Sequence, residues 1–163
     1  MRKLIDQLVR RLPLDFRVLY RQFLLRVIDL EALGERQVLI DCDVLQADGG
    51  TRTAGITGSY VALYQALAGL VTAGALPAVP LTDSVAAISC GVCGGEAVLD
   101  LDYAEDSGAE TDANFVLTGT GKIIEIQATA EGAPFDEASF ATMLALARAG
   151  IAELTLLQRA ALT

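Results

Sequence analysis

The segment Gly49-Gly50-Thr51-Arg52-Thr53 holds the first residues whose types and spacing could do chemistry. It lies between a predicted strand and a predicted helix. Glycines let the backbone approach an anion closely, and the N–H groups and dipole of a helix start favour negative charge. Arg52 adds a bidentate donor, and the threonines add hydroxyls. The segment therefore predicts a phosphate site, with a tight turn carrying an exposed Arg as the alternative.

A second candidate is the acidic run over residues 100–112, which contains no Lys or Arg. Crowded carboxylates raise one another's pKa, so one of them can act as a general acid or base. They can also hold Mg²⁺ with retained waters. The alternative is a solvated acidic loop. The carboxylates are Asp100, Asp102, Glu105, Asp106, Glu110 and Asp112.

The composition narrows the chemistry further. The chain has 163 residues, no His and a formal net charge of −9. Without His there is no Ser-His-Asp triad, no Cys-His pair and no His-bearing zinc site. The negative charge argues against broad, nonspecific nucleic-acid binding, which requires Lys and Arg along the phosphates. A small, focused basic site remains open.

Charge is spread unevenly along the chain. Residues 1–36 hold eight Lys or Arg side chains against five Asp or Glu side chains, whereas the remainder holds four against sixteen. This asymmetry suggests a basic arm or helix attached to an acidic body. The alternative is a pair of amphipathic helices that present Arg to water.

Cysteine usage and the start of the chain predict a reducing, cytoplasmic location. The three cysteines are an odd count, and nothing at the start resembles a signal peptide. Cys90 and Cys93 have redox or zinc spacing, but no second pair completes a four-ligand site, so two ordinary thiols near a hairpin are expected. The uncharged stretch 59–81 could nominally span a bilayer, but its Gly and Pro residues favour a buried helix followed by a linker, with no membrane partner.

The elements that must position these residues follow from periodicity. The pattern predicts one amphipathic helix over residues 4–12, and a second that Asp15 caps and Gly34 ends. A strand is expected over residues 37–46 and a helix over 59–73. Two hairpins then pair residues 84–92 with 96–103 and residues 114–117 with 123–130. A last helix starts at Asp136 and runs through Arg148, with a break at Gly150 and a further turn over 152–161.

Four long stretches, in the right order, resemble bacterial ribonuclease PH. Residues 40–58 (IDCDVLQADGGTRTAGITG) resemble the family's central motif, and residues 100–114 (DLDYAEDSGAETDAN) resemble its acidic active-site segment. Residues 125–132 (EIQATAEG) and 146–154 (LARAGIAEL) also fit. The match runs from about residue 27 to the end of the chain.

The resemblance implies an activity and an α+β fold. Ribonuclease PH uses inorganic phosphate to remove nucleotides from RNA 3′ ends, notably on tRNA precursors, and releases nucleoside diphosphates. Its fold, like ribosomal protein S5 domain 2, packs antiparallel strands of β-α units on helices, and its members are homo-oligomers. By motif, Thr51 and Arg52 would bind phosphate with the backbone of Gly50. Asp106 and Asp112 would be the catalytic carboxylates or Mg²⁺ ligands, with Asp100 a weaker member of the set.

The front of the chain departs from the family. Residues 1–26 are expected to be non-family amphipathic helices, 27–80 a partial first unit, and 81–163 the C-terminal unit. A full member has a longer N-terminal section with another phosphate-binding Arg, whose position falls on Leu12 here. Two hypotheses follow: a phosphorolytic exoribonuclease, or a non-catalytic, chimeric or engineered fragment that binds phosphate only.

Overall fold

Four antiparallel strands form a sheet in the order β2-β1-β3-β4. The structure, a computed structural model, describes residues 22–163. The strands are β1 (Val85–Cys93), β2 (Glu96–Leu99), β3 (Thr111–Thr118) and β4 (Ile123–Ala130). The helices are α1 (Leu30–Leu33), α2 (Thr51–Thr72), α3 (Tyr103–Gly108) and α4 (Glu137–Ala161). The predicted α+β class is confirmed.

The sheet buries both of its faces because β1 and β3 are apolar on both sides. One face packs on α4, whose inward residues are Met143, Ala147 and Ile151. The opposite face meets the first turns of α2 and a small cluster around Phe23 and Ile56. Period-two alternation separates the two sets of strand residues. The start of α2 is thereby fixed over one face of the sheet.

The unpaired edge of β1 is covered by side chains. Strand β2 pairs only with the end of β1, from Cys90 to Cys93. Beyond it, the hydroxyl of Thr57 on α2 donates to Ala87 O (3.1 Å) and accepts from Ala87 N (3.0 Å). The Gln158 amide on α4 donates to Val85 O (2.8 Å). These bonds satisfy an otherwise open sheet edge and attach both long helices to it.

Both hairpins lie where the sequence predicts them, with bounds that differ by a few residues. The final helix differs more, because it runs unbroken through Gly150. A Cβ at this position would lie 2.6 Å from Ile88 Cδ1. The glycine therefore lets α4 lie close to β1, and it packs the helix instead of ending it. Asp136 caps the helix as predicted, accepting from Ser139 N at 2.8 Å.

The predicted strand over residues 37–46 is wrong for this structure. Within residues 22–163 this segment pairs with no strand, although its residues alternate as a strand would. Alternation predicts an extended backbone, but a strand also needs a neighbour to complete its hydrogen bonds. Three of its apolar side chains are exposed: Leu39, Val44 and Leu45.

The predicted second helix is also interrupted. Residues 22–24 are helical, but the helix ends before Ile28, which forms an isolated bridge with Leu81. Asp29 then caps the separate helix α1, accepting from Glu31 N and Ala32 N at 3.0 Å. The N-cap preference of Asp outweighs the continuous apolar stripe here. The helix predicted over residues 4–12 and the start of the second lie outside the described residues.

Helices α2 and α4 are long and apolar enough to cross a membrane on length and composition alone. In the folded chain both pack against the sheet, and the residues they bury there include Ile56 and Ala147. This packing agrees with the expected core helix.

Candidate anion and carboxylate site

The glycine-rich segment forms the start of α2, and it leaves that start without a cap. Gly50 is the N-cap, in the left-handed conformation with φ of 70°, which favours glycine. No side chain caps the helix, and its first turn has no acidic residue. The first N–H groups of a helix have no partner within the helix. The uncapped N-terminus of this 22-residue helix is therefore suited to binding an anion.

The loop is fastened to the beginning of the acidic segment. One carboxylate oxygen of Asp48 accepts from Gly49 N (2.8 Å) and from Tyr103 N (2.7 Å), the first residue of α3. A Cβ on Gly49 would lie 2.0 Å from Leu101 O. The two segments that the sequence singles out, about fifty residues apart, are therefore in direct contact.

The loop hydroxyls are turned towards the loop's own backbone. Thr51 Oγ1 donates to Asp48 O (2.9 Å), and Thr53 Oγ1 donates to Gly50 O (2.7 Å). Both bonds hold the turn closed ahead of the helix. These two bonds use carbonyl groups of the loop, so they leave the first N–H groups of α2 available as donors.

Arg52 reaches across the sheet to β4. Its guanidinium donates to the Glu125 carboxylate at 2.6 Å and to the Gln127 side-chain oxygen. The ring of Phe23 lies 5.7 Å from its central carbon. Its Nε is buried and has no hydrogen-bond partner among the described residues. Arg52 is therefore fixed beside the loop while one of its donors is unused.

Asp112 on β3 is the carboxylate whose ionisation the structure alters. Burial raises its pKa, and the charges of Asp106 and Glu131 raise it further, whereas Arg52 lowers it. Asp106 is exposed on α3. The start of that short helix is capped by a capping box between Asp102 and Glu105. The structure thus brings Arg52 and Asp106 within electrostatic range of Asp112. A raised pKa favours a role for Asp112 in proton transfer.

The sheet adds polar residues that sequence reasoning missed. Ser89, Asn114 and Gln127 are Cα partners in one row across β1, β3 and β4. The next row contains Asp112 and Thr129. Because side chains two residues apart share a face, both rows lie on the α2 side of the sheet. The sequence signal that could have identified them is the alternation of polar with apolar residues inside the predicted core strands.

The site offers two nearby carboxylates for a divalent cation. No cluster of three or more potential ligands occurs over residues 22–163. Mg²⁺ is often bound by one or two carboxylates, with water and substrate phosphate completing its six ligands. The donor set therefore fits Mg²⁺ only together with a phosphate-bearing substrate. Asp106 and Asp112 would be its protein ligands.

The two cysteines of the hairpin do not form a reactive centre. Cys90 is buried in the core, and burial with the nearby Asp100 charge raises its pKa to about 12. Burial and four surrounding carboxylates also raise the pKa of Cys93. A redox pair needs lowered thiol pKa values, so both act as ordinary thiols, as the sequence predicts.

Comparisons with known proteins show what this chain is similar to. A family model described as "3′ exoribonuclease family, domain 2" matches residues 83–150. The chain is 67% identical over 138 residues to a ribonuclease PH from Rhodospirillum rubrum, and 63% identical over 135 residues to one from Methylocella silvestris. Each alignment covers 83% of this chain and 57% of the relative. The chain thus spans little more than half the length of these relatives.

The crystal structure of rice (Oryza sativa) Rrp46 shares the fold. It matches with a TM-score of 0.54 at 24% identity, over 71% of this chain and 49% of that chain. Residues 83–150 thus resemble the 3′ exoribonuclease family, and the fold is that of Rrp46. The resemblance to ribonuclease PH that the sequence motifs indicate is confirmed over most of this chain.

Proposed function

We propose that this chain binds inorganic phosphate at the start of α2 and supplies the carboxylates for phosphorolysis of RNA 3′ ends. The observation that supports this most is the uncapped helix start at Gly50, with Arg52 fixed beside it. In this proposal Gly50 and Thr51 bind the phosphate through backbone amides, and Arg52 binds it through the guanidinium. The Thr51 hydroxyl would turn from Asp48 O to donate to the phosphate. Neutralising charge and positioning are the main requirements of phosphoryl transfer.

The carboxylates have separate roles in the proposed reaction. A phosphate oxygen attacks the phosphorus of the last phosphodiester, the bond from that phosphorus to the 3′ oxygen breaks, and a nucleoside diphosphate leaves. Asp112, whose pKa is raised, donates a proton to the departing 3′ oxygen. It recovers that proton from the attacking hydrogen phosphate. In the alternative role, Asp106 and Asp112 are both ionised and would hold Mg²⁺, which would neutralise charge on the phosphates.

The experiment is a trimming assay on a short RNA with a free 3′ end, with and without inorganic phosphate. We expect shortening only with phosphate, accompanied by release of nucleoside diphosphate. Arg52→Ala and Asp106→Asn should abolish it, while Asp43→Asn, at an exposed acid outside the site, should not. No phosphate-dependent trimming by the unchanged chain would contradict the catalytic part.

A second candidate is phosphate binding without turnover. It is supported by the sequence, which has Leu12 where the resemblance expects a further phosphate-binding Arg. Calorimetric titration with phosphate separates the two candidates. Binding without trimming favours the second, and its loss in Arg52→Ala would locate the site.

The relatives also suggest three proposals about the whole protein. RNA 3′ ends as substrate, a homo-oligomeric assembly and a cytoplasmic location are proposed from the relatives. The division into residues 1–26, 27–80 and 81–163 stays a prediction.

A further inference from the structure

Ser89 on β1 carries a polar group with no partner in the described part of the chain. The residue is 2% exposed, and its hydroxyl oxygen is fully buried without a hydrogen bond. A buried hydroxyl that loses its bonds to water costs free energy in the folded state. Such a group calls for a physical reason, particularly beside a candidate site.

The hydroxyl lies next to Gly50 in the glycine-rich segment, residues 49–53, which we call the anion loop. Its oxygen is 3.3 Å from the position that a Cβ on Gly50 would take, and Thr53 Oγ1 is 3.1 Å from the same point. Asp100 Oδ1 is 4.0 Å from it. Ser89 therefore belongs to a small polar layer next to Gly50.

The same layer contains strained backbone. Asp100 has φ of 58°, the one positive value for a residue other than glycine over residues 22–163. Its N–H donates to Ser89 O at 2.8 Å. Side chains rarely adopt this conformation, and Asp is among those that tolerate it. Backbone strain and an unused hydroxyl thus occur together next to one glycine.

We propose that Ser89 is a positioning residue for the anion loop, and that its hydroxyl makes its hydrogen bond only when an anion draws the loop amides into place. Thr53 Oγ1 already donates to Gly50 O, so its lone pairs can accept from Ser89. When this bond forms on phosphate binding, it offsets the free-energy cost of burying the Ser89 hydroxyl. The hydroxyl then contributes to anion affinity and nothing to the stability of the free chain. This inference rests on the proposed phosphate site.

The test compares phosphate affinity with stability in Ser89→Ala. Phosphate binding, measured by calorimetric titration, should weaken about two- to tenfold, as expected for one hydrogen bond. The thermal midpoint without phosphate should stay the same or rise, because the variant removes an unpartnered polar group. A merely structural hydroxyl would show the reverse, with lower stability and unchanged affinity.

Two further variants complete the comparison. Thr155→Val removes a buried hydroxyl that is bonded within α4 (2.8 Å to Ile151 O), so it should lower stability and leave phosphate affinity unchanged. Ser89→Thr keeps the hydroxyl and should bind phosphate more tightly than Ser89→Ala. Equal affinity of Ser89→Ala and the unchanged chain would overturn this inference alone. Absence of phosphate binding by the unchanged chain would overturn the proposed function and the inference with it.

Discussion

At the scale of single residues, the site is a balance of charges. Arg52 forms an ion pair with Glu125, and its positive charge would also attract an anion at the loop. The same charge lowers the pKa of Asp112. Gln22 donates to the other oxygen of the Glu125 carboxylate at 3.0 Å. A bound phosphate therefore competes with a protein carboxylate for the same guanidinium.

Asp112→Asn should stabilise the chain at neutral pH. A carboxyl whose pKa is raised on folding contributes stability below its ordinary pKa and loses it as pH rises through the folded value. Removing the charge should raise the thermal midpoint at pH 7, by a few degrees at most because solvent screens a partly exposed group. The difference from the unchanged chain should vanish below about pH 4. A lower midpoint at pH 7 would show that the ionised carboxylate is stabilising.

Glu125→Gln should tighten phosphate binding. The amide keeps an oxygen that can accept from Arg52, but it no longer neutralises the guanidinium. A partly exposed ion pair is worth about 0.5–1 kcal/mol, so affinity should rise about two- to fivefold in a calorimetric titration. Glu96→Gln, at an exposed acid at the far side of the sheet, is the control. Weaker binding in Glu125→Gln would mean that the carboxylate positions Arg52 more than it competes.

At the scale of elements, the loop, α3 and α2 form one unit on the sheet. The sequence predicts the two hairpins and the cap at Asp136 because their turn and capping signals are local, but it misses the cap at Asp29. It misplaces the start of α2, which begins at Thr51 and not near Ser59. The Gly and Thr residues of the first turns are poor helix formers, so propensity alone underestimates the helix.

Gly49→Ala and Gly58→Ala should have opposite effects. A Cβ at position 49 would overlap Leu101 O, so the loop must move away from α3, at a cost of about 1–3 kcal/mol in the free energy of unfolding. A Cβ at position 58 meets nothing within 4 Å on α2, so alanine there should add up to about 1 kcal/mol. Urea denaturation measures both. Equal effects would mean that the contact between the loop and α3 is not tight.

At the scale of the whole molecule, the unpaired segment over residues 37–46 is the main departure from a closed fold. Leu39 is 70% exposed and Leu45 is 92% exposed, and the segment pairs with no strand in the described chain. Unpaired extended backbone with apolar side chains promotes association between chains.

We therefore expect the chain to self-associate in solution. Size-exclusion chromatography with light scattering should give a mass above 17.1 kDa that rises with concentration. The double variant Leu39→Ser, Leu45→Ser should shift the mass towards the monomer, because it removes exposed apolar surface. Matched substitutions at the exposed Leu156 and Leu157 of α4 are the control. A monomer at all concentrations would contradict the prediction.

The sequence by itself determined the parts that depend on local signals: the glycine loop, the acidic run, the hairpins and the resemblance to ribonuclease PH. Each is a contiguous pattern, so each can be recognised without knowing its neighbours. Only the tertiary structure decided that Asp48 joins the loop to α3, that Glu125 pairs with Arg52, and that Ser89 lies unpartnered next to Gly50. These contacts join residues far apart in sequence, and the packing of α2 on the sheet alone brings them together. The same holds for residues 37–46, whose pattern specifies an extended chain while a strand requires a partner.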